Sequence, residues 1–300
     1  MAKNFHRGLR IKQTIIAYIF LAIPAIILGI FTYYPMILGV VLSFFRYDFI
    51  NPMKMVGFSN YAKVFGNWQF LNAMKNSFLY LLVVPPLQLL SIIMAILVNR
   101  QMKGINVFRT LYFIPVITSM TVVALSWNWM FAQKGILNYI LMGLHFTSQP
   151  IGWLTDPKIA LFSIMFVTMW KGLGYYMMIY LAGLQSIPFN LIEAAMIDGA
   201  KPAQVFWKIT LPLLKPYAMF CSVVSTIAAL NVFTEIYVMT GGGPYHSTET
   251  MGVLIYEKAF ENLKFGYSSA LAVILSLVLI VATMMNLKFF KEGGVQSYYG

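Results

Sequence analysis

The chain alternates long apolar runs with short polar segments. Six runs hold at most one charged residue in their apolar part; they lie at 13–45, 76–99, 110–133, 159–184, 216–234 with a continuation to about 240, and 265–287. Each is long enough for a helix that crosses the hydrocarbon core of a bilayer, which takes about 20 residues. The pattern therefore predicts an all-α, polytopic membrane protein with about six transmembrane helices, whose two termini lie on the same side.

The composition supports a membrane class. Hydrophobic residues make up 60%, aromatic residues 16% and charged residues only 10% of the 300 positions, which is far outside the range of soluble globular domains. The charge-free run after the basic N-terminus is more than twice as long as that of a signal peptide, so we interpret it as a retained first span. Cys221, the single cysteine, lies in a span, so the chain has no disulfide framework.

The basic residues predict the orientation. Of the 21 Lys and Arg residues, 12 fall in the segments that are cytoplasmic if both termini are inside, 8 fall in the longer outer segments, and Lys171 lies within a span. The positive-inside rule therefore places the tails 1–13 and 291–300 in the cytoplasm, with a membrane domain at 14–290 between them. The net charge of +12 then reflects orientation and contact with lipid headgroups, and not nucleic-acid binding.

The inner loop at 185–215 has the pattern of a folded element. Asn190 and Glu193 have the spacing of a capping box that begins a helix. Gly199 can adopt the left-handed conformation that ends it, and Pro202 suits the first turn of a second short helix. Two short helices hinged at a glycine are the predicted structure.

This loop also has an apolar face, and the second helix is expected to end at Leu211–Pro212, where proline breaks the pattern. Leu191, Met196 and Ile197 contribute to that face, while neighbouring alanines are small enough for close approach to another surface. Two interpretations stay open. The loop is either an interfacial helix that rests on the lipid surface, or a helix that fits into a groove of a partner protein.

The segment "EAAMIDGAKPAQVFWKITLP" resembles the cytoplasmic signature of binding-protein-dependent ABC importer permeases: E-A-A, three residues, G, nine residues, then I-x-L-P. The matching residues, with the aspartate that precedes the glycine, are Glu193, Ala194, Ala195, Asp198, Gly199, Ile209, Leu211 and Pro212. The resemblance implies the type I ABC importer transmembrane fold, and it implies that these residues couple the permease to an ATP-binding subunit. "AGLQSIP" and "NVFTEIYVMTGGGP" are similar to the carbohydrate-uptake, maltose-type branch, in its shorter six-helix first permease subunits.

The resemblance also implies an assembly. The chain has no phosphate-binding loop of the G-x-x-x-x-G-K-[ST] type, so we predict that it is not itself an enzyme and has no catalytic residue, metal site or cofactor of its own. ATP and Mg would be used by two copies of a partner ATPase subunit. A second, homologous permease subunit and an extracytoplasmic sugar-binding protein would complete an importer in a bacterial or archaeal cytoplasmic membrane.

Two other classes of protein were weighed. An ion-coupled secondary transporter is expected to carry intramembrane carboxylates or interrupted helices in repeated halves, and only Glu235, near the outer end of its span, qualifies. An integral membrane enzyme needs grouped nucleophiles, bases or metal ligands, but His6, His145 and His246 are far apart in tails or outer loops. Neither class explains the structured loop.

A sugar path requires amides, hydroxyls and aromatic faces at mid-depth, and the resemblance places that path on the second to fifth helices. The candidate residues are Thr118, Ser119, Thr168, Trp170, Gly172, Tyr175, Asn231, Phe233 and Glu235. For the hydroxyls the alternative is a bond to their own helix backbone, and for the aromatic residues it is packing or an interfacial position.

Two further expectations concern this path. Asn231 is expected to contribute because a buried amide needs partners. Lys171 either pairs with Glu235 or attracts an anionic sugar. Several positions that are polar in the maltose-type site are apolar here, among them Val116 and Ala228, so maltose itself is not expected and selectivity could rest with the delivering protein.

Overall fold

The structure is a computed structural model that describes residues 2–99 and 104–292. Two compact units divide the chain: one comprises residues up to 66 together with 257–274, and the other comprises 67–256 together with the part of the chain from 275 onward. The predicted C-terminal tail at 291–300 lies almost entirely outside the described residues.

The first unit combines long helices with one small hairpin. Its elements are α1 Ala2–Leu28, α2 Tyr34–Leu42, β1 Phe45–Arg46, β2 Lys54–Met55 and α3 Ser59–Phe65, and a π-helical turn, Gly29–Tyr33, joins α1 to α2. The two strands are antiparallel, with Phe45 opposite Met55. The first turns of the last helix belong to this unit, and there the Gly266 amide donates to the Tyr47 carbonyl at 3.2 Å.

The second unit holds most of the helices. They are α4 Trp68–Tyr80, α5 Val84–Val98, α6 Ile105–Ile117, α7 Met120–Phe131, α8 Ile136–Gly143, α9 Ala160–Ser186, α10 Phe189–Ile197, α11 Pro202–Val205, α12 Leu211–Leu213, α13 Lys215–Leu230, α14 Thr234–Met239 and α15 Met251–Tyr256, with α16 Phe265–Glu292 running from the first unit into this one. A 3₁₀ turn, Leu81–Val83, makes α4 and α5 one continuous rod.

Within the described residues, three helices are long and apolar enough to span a membrane: Ile16–Leu42, Trp68–Val98 and Phe265–Phe290. Two bent helix pairs raise this number to as many as five if each pair forms one span. The 27 residues of α9 are long enough for a span at 1.5 Å per residue, but Lys171 and several tyrosines make this helix less apolar. All six predicted apolar runs therefore fall on helical segments, and the all-α prediction is confirmed.

The third run was predicted as one helix at 110–133, and this was wrong. The helix stops at Ile117 and resumes at Met120, and the direction changes by 100°. Pro115 explains the weak point, because proline cannot donate the backbone hydrogen bond that would hold the preceding turn. Thr118 and Ser119 then adopt extended backbone angles, with ψ of 138° at both residues.

The fifth helix is shorter than the predicted 216–234 with its continuation to about 240. It ends at Leu230, and a separate short helix, α14, follows after Phe233. The Val232 carbonyl, which would otherwise serve a continuing helix, accepts a hydrogen bond from the Thr250 hydroxyl at 3.1 Å. The predicted outer loop therefore packs against the gap between α13 and α14.

The core of the second unit lies between α7, α9 and α14. Ala124, Ile164, Val167 and Ile236 are fully buried there. A second cluster joins α5, α9 and α13, and it includes Cys221. These two clusters fix α9 at the centre of the unit, so residues on α9 face several other helices.

Candidate functional site

The hinge predicted at Gly199 is present. Its φ is +80°, in the left-handed region that favours glycine. The Ala200 amide donates to the Ala195 carbonyl at 2.9 Å, and the Gly199 amide donates to the Met196 carbonyl at 3.0 Å. These two bonds form a Schellman motif, which satisfies the last carbonyls of α10 and turns the chain into the next helix.

The capping box predicted at Asn190 and Glu193 was wrong. The helix begins one residue earlier, at Phe189, because Pro188 is extended and its carbonyl accepts from the Leu191 amide at 3.2 Å. Asn190 is therefore inside the first turn and cannot cap it. Half of a capping box forms after the hinge instead, where the Gln204 Oε1 atom accepts from the Lys201 amide at 2.8 Å.

The helix break predicted at Leu211–Pro212 was also wrong. A π-helical turn, Phe206–Thr210, follows α11, and the helical path continues through Pro212 to Leu213. In the π turn the Leu211 amide bonds to the Phe206 carbonyl, five residues back. Because the helix is widened just before Pro212, the proline ring is accommodated. The real change of direction, 59°, comes at the junction with α13.

The loop presents its signature residues at the surface. Glu193, Ala194, Asp198, Gly199 and Pro212 are exposed, whereas Ala195, Ile209 and Leu211 are partly buried. None of the residues of α10 is buried. The apolar face is bare, with Ile197 exposed by 80% and Met196 by 55%. A helix with an uncovered apolar stripe needs a surface to cover it.

A cavity of about 350 Å³ lies inside the second unit. Its lining comes from α5, α6, α7, α9, α13, α14 and the 3₁₀ turn, and comprises Val83, Leu87, Val116, Met120, Thr168, Lys171, Gly172, Tyr175, Tyr176, Ser225, Ala228, Ala229 and Glu235. Most of this wall is apolar, and a few polar groups converge on it, which is the usual character of a small-molecule site. Four predicted path residues are brought together here, namely Thr168, Gly172, Tyr175 and Glu235.

The two charged residues of the cavity do not pair with each other. The Lys171 Nζ atom donates to the Val116 carbonyl at 3.3 Å, beside the broken end of α6. The Glu235 Oε1 atom accepts from the Thr168 hydroxyl at 3.0 Å. The Lys171–Glu235 ion pair, one of the two alternatives for Lys171, is therefore not formed in this structure, although both side chains line the same space.

The other five predicted path residues lie outside the cavity lining. The Thr118 hydroxyl donates to the Ile114 carbonyl at 3.0 Å, which is the helix-backbone bond named as its alternative. Ser119 is exposed at the break between α6 and α7. Trp170 makes an edge contact with Trp127, at 5.4 Å between ring centroids.

Asn231 and Phe233 occupy the gap between α13 and α14. Asn231 is exposed at the end of α13, so the expectation of a buried amide was wrong. The helix ends at Leu230, so Asn231 lies at its C-terminal cap and not within it. Phe233 stacks on Tyr237, with ring centroids 5.3 Å apart. The role of all five residues in a path stays a prediction.

Sequence reasoning missed several polar residues in the second unit. Gln88 accepts a hydrogen bond from the Tyr180 hydroxyl at 2.8 Å and donates to the Ser225 hydroxyl at 2.9 Å, which joins α5, α9 and α13. An amide within an apolar run was a visible signal for such a network. Tyr80, which bonds to Thr168 at 2.6 Å, gave no comparable signal, because a single aromatic residue in a span usually only packs.

The predicted outer loop, "TGGGPYHSTET", is fixed by a buried carboxylate. The Glu249 Oε1 atom accepts from the side-chain amide of Gln69 at 2.9 Å, and its Oε2 atom lies 3.0 Å from the His246 Nδ1 atom. Asn76 donates to the Glu249 backbone carbonyl at 2.9 Å. This network anchors the loop to α4. Across residues 2–99 and 104–292, no three His, Cys, Asp or Glu side chains form a group that could hold a metal ion.

Comparisons with known proteins converge on one family. A family model described as binding-protein-dependent transport system inner membrane component matches residues 88–289. The probable ABC transporter permease protein YurN of Bacillus subtilis (strain 168) is 35% identical over 94% of this chain and 98% of its own length. The lactose transport system permease protein LacF of Rhizobium radiobacter is 31% identical over 97% of this chain and 98% of its own length.

A solved structure has the same fold. It is a bacterial alginate ABC transporter in complex with an alginate pentasaccharide-bound periplasmic protein, and its matching chain is 24% identical to this one. The TM-score is 0.81, and the match covers 92% of this chain and 94% of that chain. At this level of identity the likeness concerns the fold.

Proposed function

Because this chain belongs to the family of binding-protein-dependent transport system inner membrane components, we propose that it is the membrane-spanning permease subunit of an ATP-driven ABC importer for a sugar or oligosaccharide. The observation that carries this proposal is the inner loop. It has the family signature, a hinge at Gly199 and an apolar face that no other part of the described chain covers.

The loop supports a docking role better than a lipid-resting role. Its exposed face mixes the apolar side chains of Met196 and Ile197 with the carboxylates of Glu193 and Asp198. Anionic groups are unfavourable at a membrane surface that carries negative charge, whereas a groove on a protein accommodates both kinds of group. We therefore propose that the cytoplasmic ATP-binding subunits cover this face.

The assembly follows from the same reasoning. The chain is a permease subunit and not an ATPase, so we propose that partner subunits bind ATP and Mg and hydrolyse the ATP. We propose two ATP-binding subunits, a second homologous permease that forms a heterodimer with this chain, and an extracytoplasmic binding protein that delivers the sugar. The alginate transporter with its bound periplasmic protein supports the last of these partners.

A sugar is the class of substrate that the relatives and the cavity both favour. Lactose is named for one relative, and alginate, an oligosaccharide in that complex, is named for the solved structure. The cavity offers a carboxylate, an ammonium group, hydroxyls and the rings of Tyr175 and Tyr176. These groups can hydrogen-bond to sugar hydroxyls and stack on a sugar ring. An ion-coupled secondary transporter is not retained, because the family depends on a binding protein.

The chain is a multi-pass membrane protein. We propose that both termini face the cytoplasm of a bacterial or archaeal cell, which puts the loop at 185–215 on the ATPase side and the Glu249 network outside. The basic residues support this orientation.

The test is co-purification followed by uptake. The chain is expressed with the ATPase, second permease and binding protein of its own organism, isolated through a tag on this chain, and placed in sealed vesicles. We expect the ATPase to co-purify, and labelled lactose, raffinose or an alginate trisaccharide to enter only when ATP and the binding protein are present. Failure of the ATPase to co-purify, or uptake independent of ATP, contradicts the proposal.

A further inference from the structure

Tyr80, Thr168 and Glu235 form a short hydrogen-bonded chain that leads from the buried interior to the cavity. Tyr80 ends α4, Thr168 lies in the first half of α9, and Glu235 is in the first turn of α14. The Tyr80 hydroxyl lies 2.6 Å from the Thr168 Oγ1 atom, which lies 3.0 Å from the Glu235 Oε1 atom. Three separate helices are therefore linked through two hydroxyl groups.

Both hydroxyl groups are placed to bind the Glu235 carboxylate. Thr168 donates to Glu235, whereas either oxygen can donate in the bond between Tyr80 and Thr168, and Tyr80 also bonds to the Glu235 side chain. Tyr80 is fully buried. Leaving that hydroxyl unpaired would be costly, which keeps Thr168 and Glu235 beside it. Hydrogen bonds to a charged acceptor are also stronger than neutral ones.

The opposite charge in the cavity is held in place by a different group. Lys171 lies on α9, three residues after Thr168, and donates its hydrogen bond to the Val116 carbonyl. Nothing else among the described residues bonds to this ammonium group, which leaves two of its three protons for the cavity. The chain thus anchors its ammonium group and its carboxylate separately, although direct pairing would satisfy both.

We propose that Tyr80 is a positioning residue that, together with Thr168, keeps the Glu235 carboxylate apart from the Lys171 ammonium group, so that the two meet the sugar as a separate acceptor and donor. This rests on the proposed function, in that the cavity is taken as part of the sugar path. If Lys171 and Glu235 were paired, they would offer a sugar fewer free hydrogen-bond donors and acceptors, because each group would already be bonded to the other.

The positioning is tested without any sugar, by carbodiimide cross-linking of the complete complex. A carbodiimide activates a carboxylate, and a neighbouring amine then displaces the urea to form an amide. We expect little Lys171–Glu235 amide in the wild type, and roughly tenfold more in Tyr80→Phe, because the freed carboxylate swings to the ammonium group. Mass spectrometry of the digested permease identifies the cross-linked peptide.

Two further variants keep this test decisive. Tyr180→Phe is the matched control, since Tyr180 is equally buried but bonds to Gln88, and it should leave the amide yield at the wild-type level. If Tyr80→Phe does not accumulate in the membrane, Thr168→Val takes its place and should raise the amide yield. Thr168→Ser, which keeps the hydroxyl, should return the amide yield to the low wild-type level. A strong amide signal in the wild type, or no increase in Tyr80→Phe or Thr168→Val, overturns the proposal.

Uptake of labelled lactose, raffinose and alginate trisaccharide tests the consequence for transport. Each sugar that the wild-type complex carries should enter about fivefold to thirtyfold more slowly with Tyr80→Phe. Tyr80→Phe should add little in a Glu235→Gln background, because both changes act on one carboxylate. Additive losses, or normal uptake despite an increased amide yield, overturn the inference. Absence of uptake in the wild type contradicts the proposed function instead, and the cross-link still reports on the positioning.

Discussion

Gly199→Val is the sharpest test of the coupling loop, because the effect comes from the backbone alone. An added Cβ at Gly199 meets no atom within 4 Å, so the substitution creates no clash. The φ of +80°, however, is one that a β-branched residue resists. Strain of this kind costs about 1–3 kcal/mol. If the chain relieves this strain by straightening the hinge, the population of the bent geometry that docks falls by roughly fivefold to over a hundredfold.

The measurement is the amount of ATPase that co-purifies per unit of permease in the membrane, together with ATP hydrolysis stimulated by the loaded binding protein. We expect Gly199→Val to lower both while the permease level stays near wild type. Gly199→Asn should retain most of both activities, because asparagine tolerates the left-handed conformation.

The matched control is Gly57→Val. Gly57 has a φ of +56° and also has no atom within 4 Å of an added Cβ, but it lies in the predicted outer loop. It carries the same kind of strain at a place with no docking role. Normal ATPase attachment and normal stimulated hydrolysis in Gly199→Val would refute the coupling role, and equal losses in both variants would assign the defect to general instability.

Three other predictions follow from the structure. Cysteine placed at Tyr245, which is exposed by 91%, should react with an impermeant thiol reagent in sealed cells, and cysteine at Lys201 should not; the reverse labelling contradicts the orientation. Gly174→Ala should destabilise the permease by over about 1 kcal/mol and so lower its amount in the membrane, because the added Cβ would lie 2.1 Å from the Tyr112 carbonyl oxygen. Gly172→Ala should accumulate normally, because the atom nearest to its added Cβ is 3.4 Å away. Glu249→Ala should make the loop at 240–250 more accessible to added protease, because the loop loses the bonds of the Glu249 carboxylate to Gln69 and His246, at a cost of about 1–3 kcal/mol. Unchanged cleavage contradicts the anchoring role.

The helical segments could be predicted from the sequence because a bilayer imposes a simple rule on composition. An apolar run of sufficient length must form its hydrogen bonds internally, so it becomes a helix. The hinge at Gly199 was predictable for a similar reason, because few residues adopt its conformation readily. In both cases a local property decides the structure.

The breaks and caps could not be predicted in the same way, because they depend on neighbours far along the chain. The fifth helix ends where Thr250 takes the Val232 carbonyl, a contact that no local pattern reveals. Asn190 had the right spacing for a cap, but Pro188 began the helix first. Local signals of similar strength competed, and the sequence did not show which one would win.

The candidate path was predicted in part for the same reason. Thr168, Gly172 and Tyr175 share one side of α9, and the helix repeat brings them to the same cavity. Trp170 lies between them on another side and packs on Trp127 instead. Without knowledge of how α9 is rotated, polar and aromatic residues of one helix could not be sorted into those that face the cavity and those that do not.

The break in the third span has a consequence for hydration. Thr118 and Ser119 leave the helical path, and backbone groups freed in this way cannot face lipid. Val116 and Met120, on either side of them, line the cavity, so water is the natural partner for the freed groups. A sugar that enters a wet cavity exchanges one set of hydrogen bonds for another of nearly equal strength. If the sugar path runs through this cavity, as proposed, the cargo is held weakly there, and weak retention allows a carrier to release it on the other side of the membrane.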